Sequence, residues 1–180
     1  MPVVTYVDPD SIHTPSSGGI APASWFTTHE SNFRSITGRV GCRIYRTASQ
    51  SFGGGPFTAT ITLDTVDFNN GMTTSTANTI IVPASYAGKY LLNAGLRFTT
   101  PNGAGSSDTS IEIRVNGTAV VAEKQPMATG THDLSFAATT LQSLSVADAI
   151  TLVVTGSTPG SASTVVTASY PSLSAIWLSA

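Results

Sequence analysis

The chain has 180 residues, of which only 10% are charged, and its formal net charge is −2. This length suits one domain with a core of its own and leaves room for an appended arm. Its eight Lys and Arg residues form no basic patch for a phosphate backbone, so nucleic-acid binding is not expected. Globular proteins usually carry about 25% charged residues. A surface this poor in charge favours a protein that works assembled against neighbours.

The chain contains one cysteine, Cys42, which excludes an internal disulfide or a cluster of thiolate ligands. Cys42 stands in an alternating segment and is predicted to be a small buried residue. The first residues lack the positive region and apolar core of a signal peptide. No apolar run approaches the roughly 20 residues that span a bilayer. We therefore expect a product made in the cytosol, with no membrane partner.

Residues 1–21 are rich in proline and end in the group Ser16-Ser17-Gly18-Gly19. Because proline and glycine interrupt periodic structure, an extended arm or loop is predicted here. The segment also contains apolar residues, which a plain linker would lack. A frayed terminus and an arm that becomes ordered on another subunit are both open interpretations.

One short helix is predicted at about residues 23–36. Trp25, His29, Phe33 and Ile36 recur at helical spacing, and Gly38 is placed to end the helix.

From Val40 onward the pattern predicts strands and turns. In the longest alternating segment the apolar residues recur at every second position, which predicts a strand with one buried face. Residues 67–75 are predicted to form a polar loop, and Asn116-Gly117 a tight hairpin turn. About eight to ten strands result, which is typical of a β-sandwich or barrel. The predicted strands include residues 40–47, 57–63, 80–82, 90–99, 111–115, 132–141, 150–154 and 164–178.

The last strand is apolar on both faces, since Trp177 alternates with Ile176 and Leu178. A strand that is buried on both faces indicates a contact between subunits.

No pattern for catalysis or for a metal stands out. The three histidines, His13, His29 and His132, lie far from the cysteine and in no metal-ligand spacing. The many serines include no nucleophile elbow. The run Gly53-Gly54-Gly55 lacks the lysine and helix of a phosphate loop. We therefore expect no enzyme activity, no cofactor and no metal.

The nearest alternative is a calcium site, because oxygen ligands cluster at Asp64, Asp67, Asn69 and Asn70. The regular loop spacing and a bidentate glutamate are absent, so a solvated turn is the preferred interpretation.

The middle of the chain resembles a known family. The residues that carry the resemblance are Val82-Pro83, Ala87-Gly88-Lys89-Tyr90 and Glu112-Ile113-Arg114-Val115-Asn116-Gly117-Thr118, with Leu63 to Asn69 upstream and Leu144 to Leu152 downstream. Their order resembles the C1q/TNF-like jelly roll over roughly residues 57–178. The family usually has Gly-Asp before its penultimate strand, and Ala147 replaces that glycine here. Within the family, the Ser/Thr/Ala/Gly-rich composition is similar to that of domains in bacteriophage virion proteins.

The resemblance implies an all-β jelly-roll sandwich over residues 46–180, after an arm at 1–45 that carries the short helix. It also implies a homotrimer packed around a threefold axis, for which Tyr90, Tyr170 and Trp177 are candidate interface residues. The expected function is a capsid decoration (cement) protein in the virion, assembled in the host cytoplasm. Its partners would be the major capsid protein or other virion proteins. Candidate arm residues for the capsid contact are Val4, Tyr6, Ile12, Trp25 and Phe33.

Other functions are alternatives to decoration. A tail-fibre tip would recognise the host surface through loops 67–75, 101–107 and 157–163. The coat protein of a small virus is disfavoured because the arm is not basic. A polysaccharide hydrolase comes last, since it needs a carboxylate pair and the only glutamates are Glu30, Glu112 and Glu123.

Overall fold

The computed structural model describes residues 39–52, 55–75, 78–100, 108–126, 132–158, 162–164 and 171–180. The chain divides into two units, Met1–Arg39 and Val40–Ala180. The first unit lies outside the described residues except for Arg39. The predicted helix at 23–36 and the predicted arm contacts therefore stay predictions.

Every regular element in the described part is a β-strand. The strands are β1 (Gly41–Tyr45), β2 (Ser51–Phe52), β3 (Gly55–Thr60), β4 (Thr65–Asn70), β5 (Thr73–Ser75), β6 (Thr79–Ile81), β7 (Gly88–Thr100), β8 (Asp108–Val115), β9 (Thr118–Pro126), β10 (His132–Leu144), β11 (Ala149–Thr158), β12 (Ala162–Thr164) and β13 (Ser172–Ser179). The prediction of an all-β chain is confirmed for these residues.

The strands form two antiparallel sheets. Sheet A has the order β2-β12-β7-β13-β1-β4, and β10 pairs with the other edge of β7. Sheet B has the order β5-β6-β11-β8-β9, and β3 also pairs with β11. A β-sandwich-like architecture results, in which both sheets contribute to one hydrophobic core.

The strand pairs are nested along the chain. The outermost pair is β1 with β13, followed inward by β6 with β11, β7 with β10, and β8 with β9. Successive pairs alternate between sheet A and sheet B. The chain therefore crosses repeatedly from one layer to the other, whereas the hairpins β5–β6 and β8–β9 stay within sheet B.

The alternation of apolar and polar residues in β7 places one face of this strand in the core. Tyr90, Leu92, Ala94 and Leu96 are fully buried, as the period-two pattern predicted. Their partners on β10 face the same way, and Phe136 lies opposite Leu96. Sheet B supplies the facing layer with Ile111, Ile113, Ile150, Leu152 and Val154.

The prediction of a loop over residues 67–75 was wrong. This stretch forms β4 and β5, which are separated by Gly71 and Met72. Only the turn was correct, and there Asn69 Oδ1 accepts a hydrogen bond from Met72 N at 3.0 Å. The strand is polar because β4 is the last strand of sheet A and most of its side chains face solvent.

The predicted strand at 40–47 is present as β1. It lies between β13 and β4 in sheet A. The division into an arm at 1–45 and a jelly roll at 46–180 stays a prediction.

Candidate interaction surface

Tyr90, a candidate interface residue, lies in the core. Its side chain is fully buried, and its Oη donates a hydrogen bond to Tyr86 O at 2.8 Å. Burial raises the pKa of Tyr90 to about 12, and the neighbouring Tyr86 and Cys42 add to the shift. Tyr90 therefore packs inside its own domain and offers no surface to a partner.

Trp177, the second candidate, is half-buried at the end of the sandwich. Its ring meets Tyr86 edge to face, with centroids 5.6 Å apart and planes at 87°. Its Nε1 donates a long hydrogen bond of 3.5 Å to Ala87 O. Trp177 thus holds the β6–β7 connection against the core. Tyr170, the third candidate, lies outside the described residues, as do Val4, Tyr6, Ile12, Trp25 and Phe33.

The outer face of sheet A carries an apolar group across three strands, which we call the β10-side patch (Leu141, Leu91 and Ile176). Leu91 on β7 lies opposite Leu141 on β10 and opposite Ile176 on β13. Leu141 is 65% exposed, and the other two side chains are half-buried. Exposed large apolar side chains in adjacent positions mark interaction surfaces in soluble proteins.

The opposite edge of sheet A, strand β4, exposes two further apolar side chains on different faces: Phe68, and Val66, which lies opposite the buried Ile44. Val66 is 48% exposed and Phe68 is 43% exposed. Phe68 lies opposite Arg43 on β1, and the register of β1 and β4 shifts beside this pair. This irregularity is a β-bulge, which turns side chains outward at a sheet edge.

Polar residues separate the β10-side patch from Phe68. Asn93 Nδ2 donates to Thr139 Oγ1 at 2.7 Å, and Ser174 Oγ donates to Asn93 O at 3.4 Å. Arg43 Nη1 donates to Asp67 Oδ2 at 3.2 Å beside Phe68. These groups hydrogen-bond to one another or pair in opposite charges, which lowers the cost of burying them against another protein.

Asp64 and Asp67, the possible calcium ligands, have protein partners. Asp64 Oδ1 accepts hydrogen bonds from Thr47 N, Thr47 Oγ1 and Thr65 Oγ1 at 2.9–3.1 Å. Although partial burial acts to raise it, the hydrogen bonds from Thr65 and Thr47 and the charge of Arg46 hold the pKa of Asp64 below its usual value. Asp67 pairs with Arg43. Among the described residues no three His, Cys, Asp or Glu side chains form a group that could hold a metal ion.

Cys42 is buried in β1, as its alternating segment predicted. Burial raises the pKa of its thiol to about 12, so the group stays protonated even at pH values where an exposed thiol would ionise.

Sequence reasoning had not selected Leu141, Val66 or Phe68. One signal was present in β10, where Leu134, Phe136 and Ala138 occupy one face and Leu141 breaks the alternation. An apolar residue on the polar face of a strand is the pattern that would have found it.

Within the described part of the chain, no helix has the length and apolar character needed to cross a membrane. Comparison with protein-family models and with curated proteins gives no match to this chain.

Proposed function

We propose that this chain is a non-enzymatic bacteriophage virion protein, a homotrimeric decoration protein that stabilises the head shell. The observation that carries the proposal is the nested pairing of β1 with β13, β6 with β11, β7 with β10, and β8 with β9. In an eight-strand jelly roll, which folds as two Greek keys, the first strand pairs with the last, the second strand with the seventh, and so on inward. It supports the C1q/TNF-like fold to which the sequence is similar.

A fold alone does not give a function, and the support for an assembly comes from the surface of the domain. Sheet A exposes Leu141, Val66 and Phe68, while the chain as a whole is poor in charge. Apolar groups on a weakly charged surface favour burial against neighbouring subunits. These features support a structural protein that works in an assembly.

The proposed mechanism is mechanical. Trimers lie on the outer surface of the shell, and the arm reaches across the boundary between neighbouring capsid subunits. Apolar area buried at the trimer contacts and beneath the arm adds binding free energy at roughly 25 cal/mol per Å² before the costs of association. The shell then resists internal pressure because separating two capsid subunits also requires breaking the arm contacts.

The test is cosedimentation of the purified full-length chain with undecorated phage capsids. A variant with Trp25→Ala and Phe33→Ala loses the two candidate aromatic anchors of the predicted helix. We expect its affinity for capsids to fall by at least about tenfold, the effect of removing one interface hot spot. The matched control is Ser31→Ala, which lies on the same predicted helix away from the apolar stripe and should bind like the wild type.

Two results would contradict the proposed function. If the wild-type chain fails to bind capsids, the decoration function is wrong, and adsorption to host cells becomes the measurement of the alternative tail-fibre function. That alternative has lost one of its three candidate recognition loops, since most of residues 67–75 form strands. Sedimentation equilibrium that shows only monomers at micromolar concentration would contradict the trimer.

A further inference from the structure

The side chain of Asn116 joins two chain connections at one end of the sandwich. Asn116 lies in the two-residue turn between β8 and β9. Its Nδ2 donates a hydrogen bond to Asp148 Oδ1 at 2.7 Å, and its Oδ1 accepts one from Ala149 N at 2.9 Å. Asp148 belongs to the β10–β11 connection, where its Oδ2 accepts a hydrogen bond from Ser145 N at 2.8 Å. We call the two hydrogen bonds of the Asn116 amide the Asn116 link.

Asn116 is followed by Gly117, and an Asn-Gly sequence is chemically reactive. Because glycine has no Cβ to obstruct the approach, its backbone nitrogen can attack the amide carbon of the preceding asparagine. A bond forms from Gly117 N to Asn116 Cγ, the bond from Cγ to Nδ2 breaks, and ammonia leaves with the proton of the Gly117 N–H. Water then opens the cyclic imide at either carbonyl group, which leaves aspartate or isoaspartate at position 116.

Solvent reaches this turn freely. Asn116 and Gly117 are both exposed, and a Cβ added at Gly117 would meet nothing within 4 Å. Their φ angles are +50° and +82°, as in a type I′ turn. Burial therefore does not protect the amide from water. The protection available to it comes from the Asn116 link, which holds the amide towards Asp148 and Ala149 and must break before Gly117 N reaches Cγ.

We propose that Asn116 is a latent deamidation site, which the folded domain suppresses through the Asn116 link and whose conversion weakens this end of the sandwich. After conversion to aspartate, a carboxylate faces Asp148 in place of the donor Nδ2, so two like charges replace a hydrogen bond. Isoaspartate also lengthens the backbone of a two-residue turn, which disturbs the register of β8 and β9. This inference concerns the domain itself and does not depend on the proposed function.

The first measurement is mass spectrometry of the full-length chain during long incubation at mildly alkaline pH. The tryptic peptide 115–124 contains Asn116 as its only asparagine, so its mass reports this site alone. The reference is the same chain unfolded in urea, where the link is absent. We expect native Asn116 to convert at least about tenfold more slowly than unfolded Asn116, because opening the link costs the net free energy of two hydrogen bonds. Equal rates would overturn the protection.

Asp148→Ala tests the link directly, since it removes the acceptor of Asn116 Nδ2. We expect the rate at Asn116 in the folded variant to rise several-fold towards the rate of the unfolded chain. The matched control is Asp108→Ala, which removes an exposed aspartate from the other end of β8 and should leave the rate at Asn116 unchanged. An unchanged rate in folded Asp148→Ala would overturn the role of the link.

A second measurement tests the consequence of conversion and does not require Asp148→Ala to fold. Asn116→Asp reproduces the aspartate product, and we expect it to lower the urea midpoint of unfolding at neutral pH. Adding Asp148→Asn exchanges donor and acceptor, because the new amide at position 148 can donate to the new carboxylate at position 116. The double variant should therefore recover most of the lost midpoint. A wild-type midpoint in Asn116→Asp, or losses that simply add in the double variant, would contradict the repulsion between the two carboxylates.

Discussion

Glu123 Oε2 accepts a hydrogen bond from the backbone N–H of Ala137 at 2.8 Å, across the open side of the two sheets. Glu123 lies on β9 at the edge of sheet B, and Ala137 lies on β10 at the edge of sheet A. Gln125 adds a second link, since its Nε2 donates to Ser135 O at 2.8 Å. Side chains of one sheet thus satisfy backbone groups at the edge of the other, which shields β10 from pairing with another strand.

Replacing Glu123 should measure how much its hydrogen bond between the two sheets stabilises the fold. Glu123→Ala removes the acceptor of the exposed Ala137 N–H, which water can replace in part, so we expect the free energy of unfolding to fall by about 0.5–1.5 kcal/mol. Glu123→Gln keeps a carbonyl oxygen in reach and should lose less. Urea unfolding at neutral pH gives both values, and equal losses in the two variants would show that the hydrogen bond is not the cause.

Ala147 adopts a backbone conformation that favours glycine. Its φ is +69°, and its N–H donates to Val82 O at 2.9 Å, so the turn fixes this geometry. A non-glycine residue in the left-handed region costs roughly 1 kcal/mol. We expect Ala147→Gly to raise the free energy of unfolding by about 0.5–1 kcal/mol and the melting temperature by a few degrees.

The matched control for Ala147 is Gly117, whose φ is +82° and around which a Cβ would find open space. Gly117→Ala should therefore lower stability by a similar amount through backbone strain alone. Thermal unfolding monitored by circular dichroism compares the two variants. A loss of stability in Ala147→Gly would mean that the flexibility gained by the unfolded chain outweighs the strain removed.

Local patterns predicted what depends on neighbouring positions in the chain. The alternation through β7 predicted its buried face, and Asn116-Gly117 predicted the β8–β9 turn, where both residues have positive φ. The glycine that the resemblance places at position 147 matches a real conformational demand. Each of these features is decided within a few residues.

The remaining features of the fold depend on pairing between strands that are distant in the chain, and no local sequence pattern shows this pairing. The mostly polar residues 67–75 predict a loop, yet residues 67–70 belong to β4, because a mostly polar strand is stable where another strand supplies the hydrogen bonds. That strand is β1, whose residues lie 20 to 29 positions before their partners on β4. Leu141 likewise becomes part of a patch only because β7 places Leu91 beside it.

The core role of Tyr90 has a direct test. Tyr90→Phe removes only the hydrogen bond to Tyr86 O, so we expect the free energy of unfolding to fall by about 1 kcal/mol. Trimer formation should be unchanged, because the ring stays inside the domain. Urea unfolding and sedimentation equilibrium measure the two properties, and a variant that folds normally but fails to trimerise would return Tyr90 to the interface.

Alkaline pH should destabilise the fold through Cys42 and Tyr90. Burial raises the pKa of Cys42 from 9.0 to about 12 and the pKa of Tyr90 from 10.0 to about 12. Between these values the unfolded chain releases protons that the folded chain retains. The stabilisation that these two groups contribute is therefore fully present below about pH 9. It is lost as pH rises towards 12, and the free energy of unfolding falls by up to about 1.4 kcal/mol per pH unit for each group.

Cys42→Ala isolates the contribution of the thiol. The variant should lose its pH dependence between about pH 9 and 10, while the decrease from Tyr90 remains above pH 10. Urea unfolding at intervals of half a pH unit resolves the two ranges. An unchanged slope between pH 9 and 10 in this variant would contradict the assignment to Cys42.

Leu141 and Leu144, three residues apart on β10, separate assembly from folding. Leu141 is 65% exposed on the outer face, whereas Leu144 is 5% exposed in the core. Leu141→Ser removes little buried area from one copy, so its free energy of unfolding at concentrations that favour monomers should change by less than about 0.5 kcal/mol. If the proposed trimer buries Leu141, this variant loses an apolar contact between copies, and we expect the midpoint concentration of trimer formation to rise by about tenfold. Leu144→Ala should do the reverse, lowering stability by about 2–5 kcal/mol through the cavity that it leaves. Sedimentation equilibrium and urea unfolding on both variants give the four values. If Leu141→Ser trimerises like the wild type, the β10-side patch is not the contact, because no other change in this variant would compensate for the loss of its most exposed side chain.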